Sequence, residues 1–124
     1  MAFVIYRKNH FKEDLELHDG DNTLTLHVDL QVDAIMQKYV EITRLIDRLH
    51  GSKGEETEEK IQRFTDAVRD YFVLILGVDQ AEQLFQFYGN NPAELLSDVL
   101  PFIVDKLNPA IAAAQRRMAK SYRK

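Results

Sequence analysis

The chain contains no cysteine. That removes disulfide scaffolds, thiolate catalysis and cysteine-ligated zinc or iron–sulfur centres together. It also fits a reducing compartment. Long apolar runs are missing as well. The longest, residues 71–76, falls far short of the roughly 20 residues that a membrane-spanning helix needs. Near the N-terminus the apolar Phe3, Val4, Ile5 and Tyr6 precede Arg7 and Lys8. This stretch is too short for a secretion signal, and its charges lie on the wrong side. A soluble cytoplasmic protein is expected, with no membrane contact. No Gly-rich phosphate loop, Walker pattern, Gly-x-Ser-x-Gly or His-Glu-x-x-His occurs. There are only five glycines, and each falls where a turn or helix end uses it. Neither catalysis nor a cofactor is expected.

What is present suits a single globular domain: 124 residues, 45% hydrophobic and 29% charged. A chain of this length buries about two-thirds of the surface its unfolded form exposes. No repeat or linker interrupts it. Charge is uneven. Residues 116–124 hold Arg116, Arg117, Lys120, Arg123 and Lys124 with no acid, so the rest is more acidic than the net charge of −4 indicates. An acidic body is a poor general ligand for nucleic acid.

Residues 1–28 read as β structure. A short strand is expected over residues 3–6. Leu15 and Leu17 alternate with Glu16 and His18, and Leu24, Leu26 and Val28 alternate with Thr23, Thr25 and His27. This is the period of a half-buried strand. Gly20 can supply the positive φ of a type II′ turn. With Gly20 and Asp21 central, Leu17 faces Leu24, Leu15 faces Leu26 and Glu13 faces Val28. One face is then apolar except for Glu13, and the other is polar.

From Asp29 the period becomes helical. Val32, Ile35, Tyr39, Ile42, Ile46 and Leu49 form an amphipathic stripe of about 20 residues. Gly51 is suited to the position just beyond the helix, and residues 52–54 to a turn. A second helix opens with Glu55, Glu56, Glu58 and Glu59, acids that suit a helix N-terminus. It carries Ile61, Phe64, Ala67, Val68, Tyr71 and Phe72, turns wholly apolar through Leu76 and stops at Gly77. Asp79 with Glu82 reads as a capping box for a short third helix that ends at Gly89. Asn91 and Pro92 open a fourth, in which Pro101 should free the Ser97 carbonyl and bend the rod. Asn108 and Pro109 read as a new start, for a helix running to about Tyr122. The fold class is mostly α: an N-terminal β-hairpin followed by a bundle of four or five helices. The body spans residues 29–115, with a basic C-terminal tail over 116–124.

Several groups invite a functional reading. His18 and His27 lie near Asp14 and Glu16 on the polar hairpin face, where zinc is conceivable, but an exposed polar face explains them better. The Asp19–Asn22 turn lacks the length and terminal Glu of a calcium loop. The glutamates at 55–59 suit a solvated helix start better than acid–base chemistry. Phe85, Phe87, Tyr88 and Phe102 fit core packing first and a groove second. Arg116, Arg117 and Lys120 are candidate partner contacts, and a small nucleic-acid-binding regulator is the alternative function they suggest. The small residues around Ala110–Ala114 permit close helix approach or reflect helix propensity alone. The open edge of the hairpin offers a route to self-association.

The order of elements resembles a known family. A hairpin and long helix are followed by a helix closing on Leu74, Ile75, Leu76 and Gly77. Then come the short segment 79–88, the run Gly89, Asn90, Asn91, Pro92, and a helix with Leu95, Leu96, Val99, Leu100, Pro101, Phe102 and Ile103. This is similar to the small tail assembly chaperones of long-tailed phages and prophages of Gram-positive bacteria. The resemblance implies a non-enzymatic, cofactor-free, oligomeric helical protein of the host bacterial cytoplasm. It further implies that the protein coats the tape measure protein while tail-tube subunits assemble; many proteins of the family are also made in a longer, frameshifted form, with which the basic end here is compatible. The family supplies no catalytic residues to carry over.

Overall fold

The computed structural model describes residues 2–3, 10–51 and 57–122. Strands β1 (His10–Asp19) and β2 (Asn22–Gln31) form a two-stranded antiparallel sheet. The register is the expected one, with Leu17 opposite Leu24, Leu15 opposite Leu26 and Glu13 opposite Val28. Gly20 takes φ +62° at the turn, a value glycine adopts without steric cost. The strands run further than the sequence pattern suggested, because Leu30 continues the alternation opposite Phe11. β2 therefore ends at Gln31, and the helical period begins at Val32 rather than Asp29. Phe3 is irregular and exposed; the rest of the expected strand over residues 3–6 lies outside the described residues.

Helix α1 spans Val32–Gly51, so Gly51 is its last residue rather than the one beyond. The turn expected at 52–54, with Glu55 and Glu56, lies outside the described residues. Helix α2 spans Glu58–Leu76. Its N-cap is Thr57, whose hydroxyl accepts from the Lys60 N–H at 3.2 Å, a stabilisation worth about 1 kcal/mol. The apolar run Tyr71–Leu76 is helical and mostly buried, as its continuity with the helical stripe implied.

Helix α3 covers Val78–Phe87. Asp79 is not its cap. Gly77, at φ +84°, leaves α2 and at once serves as the N-cap of α3, its carbonyl accepting from the Ala81 N–H at 3.0 Å. A glycine able to end one helix and start the next makes a side-chain cap unnecessary. Helix α4 spans Pro92–Phe102, with Asn91 capping the Glu94 N–H at 3.2 Å and Pro92 in the first turn, as expected.

The Asn108–Pro109 start is the main correction. α4 continues through Pro101 into a π-helical turn, Ile103–Leu107, and then directly into α5, Asn108–Tyr122. Asn108 is itself helical, and its N–H reaches back to the Ile103 carbonyl. Pro109 has no N–H and would crowd the Asp105 carbonyl in a regular helix. The wider π turn relieves that crowding without ending the rod. Among the described residues the body is therefore four helical rods, the last assembled from α4, the π turn and α5.

The hydrophobic effect places α2 at the centre, in contact with α1, α3, α4 and β2. Tyr71, Phe72, Phe85, Leu26, Leu84 and Leu95 are among the fully buried side chains. Each contributes about 1.5–3 kcal/mol by leaving water. Phe72 meets Tyr71 and Phe85 edge to face, at 5.2 and 6.4 Å between ring centres. No described helix is long and apolar enough to cross a membrane.

Candidate functional site

The candidates named from sequence do not converge. Phe85 is fully buried beside Phe72, with the Arg69 guanidinium 4.4 Å from its ring centre. Arg69 in turn donates to Glu82 at 2.8 Å, so this cluster fastens α3 to α2. Phe102 packs against Phe11 of the hairpin, 6.2 Å between ring centres. Phe87 and Tyr88 are half-buried and touch each other at the end of α3, at 5.6 Å. The Tyr88 phenol is pushed up to about 12, first by burial and then by the neighbouring Asp98 carboxylate.

The basic end is helical as far as Tyr122, and Arg123 and Lys124 lie outside the described residues. Arg116 is exposed on α5, and Arg117 lies 3.4 Å from Asp33 at the start of α1. The Lys120 side chain lies outside the described residues. On the polar hairpin face each histidine has a carboxylate partner. His27 meets Asp14 at 2.8 Å, His18 meets Glu16 at 2.9 Å, and His10 meets Asp29. All six are exposed. Among the described residues no three side chains converge as metal ligands would.

The feature that the sequence did not disclose is a groove of about 240 Å³ between α1 and the last rod. Thr43, Ile46 and Asp47 of α1 form one wall, and Leu96, Leu100 and Ile103 form the other, with Tyr71 at the floor. Leu100 and Val104 remain about half exposed on the rod, at 48% and 51%, and Leu45 of α1 stands at 40%. The opening runs from α4 into the π turn. The extra residue per turn brings Ile103 and Leu107 inward while Val104 faces out. The only signal in the sequence was the pair Pro101 and Pro109, eight positions apart in one apolar stripe.

A hydrogen-bonded relay underlies the groove. The Tyr71 hydroxyl donates to the Tyr39 oxygen at 3.0 Å, and the Tyr39 hydroxyl donates to Asn108 Oδ1 at 2.7 Å. Burial raises both phenols above their usual value of 10, and for Tyr71 the adjacent Tyr39 adds to the effect. Both are therefore neutral donors at ordinary pH. Among the described residues no buried side-chain polar atom lacks a partner, so the floor does not call for a polar ligand. Such a groove recognises shape and apolar surface. Comparison of the chain with known protein families, curated proteins and solved structures finds no match.

Proposed function

We propose that this protein is a non-enzymatic binding protein that holds amphipathic helical segments of another polypeptide in the groove between α1 and the α4–α5 rod. The observation that carries this reading is the groove itself, in which Ile46, Leu96, Leu100 and Ile103 alternate with the polar Thr43, Asp47 and Asn108, and whose wall residue Leu100 is left half in water. Apolar side chains spaced one helical turn apart on a target would enter such a trough, with Asp47 on its rim to orient a basic neighbour.

The partner suggested by the resemblance is a phage tape measure protein, long, helical and poorly soluble alone. In this reading the protein is a tail assembly chaperone acting in the host cytoplasm, in contact with the tape measure and with tail-tube subunits as they polymerise. Weak contacts repeated along a long target gain avidity, and the acidic body keeps the coated complex soluble. The alternative, nucleic acid bound through the basic end of α5, gains less support, since Arg117 is already turned toward Asp33.

Co-expression with a phage tape measure protein tests the proposal. The wild type should co-purify with it and raise its soluble fraction. Leu100→Glu should lose both effects while keeping the monomer's helicity. Failure of the wild type to bind, or full binding by Leu100→Glu, would reject the groove as the site.

A further inference from the structure

The two outer edges of the hairpin differ. On β2, Gln80 of α3 sets its amide against His27: the His27 N–H donates to Oε1 at 2.7 Å, and Nε2 donates to the His27 carbonyl at 2.9 Å. The amide stands in for a strand residue and closes the middle of that edge. It also fixes the direction of the backbone groups. His27 lies opposite Asp14 and turns its N–H and C=O away from β1, so the two are a non-hydrogen-bonded pair. The alternation then points the backbone groups of His10, Lys12, Asp14 and Glu16 outward from β1. Among the described residues no helix runs along that edge, and no backbone hydrogen bond reaches it from outside the sheet.

The same four residues hold their side chains on the polar face, two basic types followed by two acidic ones. That order changes sign about Glu13. An antiparallel copy turned about a two-fold axis at Glu13 brings Lys12 opposite Asp14 of the second copy and His10 opposite Glu16. On the leucine face it brings Phe11 opposite Leu15. Opposite charges directly across a strand pair stabilise it, and like charges oppose it. Within its own hairpin Asp14 meets His27 at 2.8 Å, Glu16 meets His18 at 2.9 Å, and His10 meets Asp29 and accepts from Gln31 at 3.1 Å, so Lys12 opposite Asp14 is the pair that decides the register.

We propose that β1 pairs with β1 of a second copy of this chain in that register, joining two hairpins into a four-stranded antiparallel sheet. Because the two-fold contact uses the β1 edge of both copies, it stops the assembly at two. Glu13 meets its own copy at the axis, where the like charges keep the dimer weak and guard against indiscriminate edge pairing. This contact is independent of the groove and stands or falls separately from it.

Sedimentation equilibrium of the full chain over the micromolar range tests the proposal, and a monomer–dimer equilibrium is expected. Lys12→Glu and Asp14→Lys should each weaken it by about tenfold or more. Mixing the two variants should restore a dimer, because the new carboxylate of one then faces the new ammonium of the other. Since the chain has no cysteine, Glu13→Cys supplies a single thiol at the axis and should oxidise to a linked dimer, whereas Gln62→Cys on the exposed side of α2 should not. Both charged positions are exposed, so circular dichroism should show the folds intact. A monomer at every concentration overturns the proposal. So does a dimer indifferent to Lys12→Glu, or a mixture of variants that stays monomeric.

Discussion

Helix α1 meets its two neighbours in opposite ways. Toward α2 its stripe is closed: Tyr39, Ile42 and Ile46 are buried, as are Val68, Tyr71 and Phe72 of α2. Toward the α4 part of the last rod the same helix faces a trough, with Thr43 and Asp47 on one side and Leu96 and Leu100 on the other, while α5 packs directly against it. Hydrophobicity does not separate the two sides, since both neighbours are rich in leucine, isoleucine and valine. Regularity does. α2 runs unbroken for 19 residues, so its apolar positions stay in one line and fill the spaces of α1. The last rod carries a π turn that rotates the stripe partway along. Leu95, Val99, Ile103 and Leu107 continue inward, while Leu100 and Val104 are left facing water. Apolar residues on the flank of that buried line, rather than a missing apolar residue, border the opening.

The sharpest way to break this comparison is on the closed side. Phe72→Ala removes a ring with no exposure, wedged between Tyr71 and Phe85. The expected loss is about 3–5 kcal/mol, a large part of the roughly 5–15 kcal/mol that holds a typical domain. Thermal and urea melts should show a collapse of the cooperative transition or a large fall in its midpoint. A loss under about 1 kcal/mol would mean that the core around α2 is no better filled than the groove.

The floor shared by the two sides comes next. Tyr39→Phe leaves the Tyr71 hydroxyl without its acceptor and Asn108 without its donor. The expected cost is about 1–2 kcal/mol, visible as a lower urea midpoint at neutral pH. A pH series sharpens the test. Unfolded tyrosine ionises near 10, and burial raises Tyr39 and Tyr71 above that value. Between the unfolded and folded values the native state holds protons that the unfolded chain has released. Stability should therefore stay level with respect to these groups up to about pH 10 and fall as pH rises further. In Tyr39→Phe that alkaline fall should be shallower. An unchanged alkaline slope would place the phenols outside the buried core.

How legible each part was follows from the same contrast. The hairpin register could be read residue by residue, because its period of two and the glycine turn admit one arrangement that buries Leu15, Leu17, Leu24 and Leu26 together. Helix α2 was legible for the same reason, since Phe64 through Leu76 keeps one phase, although Ile61 at the head of the expected stripe is 52% exposed. The junctions were not. Asp79 carries the composition of a cap, but Gly77 two residues earlier already did the work. Asn108 and Pro109 look like a start, yet a proline can sit inside a rod when the preceding turn widens, and composition does not distinguish those outcomes. The groove depends on which side chains of the rod are left on its flank toward α1, which periodicity alone does not show. The aromatic residues singled out instead, Phe85 above all, are where a small domain keeps its largest side chains. His27 looked like a polar surface residue, and only its tertiary contact with Gln80 shows that one hairpin edge is closed.

The smallest expected effect lies on the open side and decides whether the opening is as unfilled as its shape implies. Leu100→Ala makes the same kind of truncation as Phe72→Ala, but at a side chain with 48% of its surface in water. The part it buries lies along a groove that solvent already enters, so truncation leaves no sealed cavity, and the cavity penalty that dominates core truncations does not arise. What remains is the transfer term for the half that is covered, offset by the better helix propensity of alanine. The net loss should stay under about 1 kcal/mol, with the shape of the melt unchanged. The same variant should still weaken capture of a helical target, because its methyl groups matter only when a partner covers them. A loss of several kcal/mol in the isolated protein would mean that Leu100 is already covered from within, and the trough beside α1 would then be part of the core rather than a place for another chain.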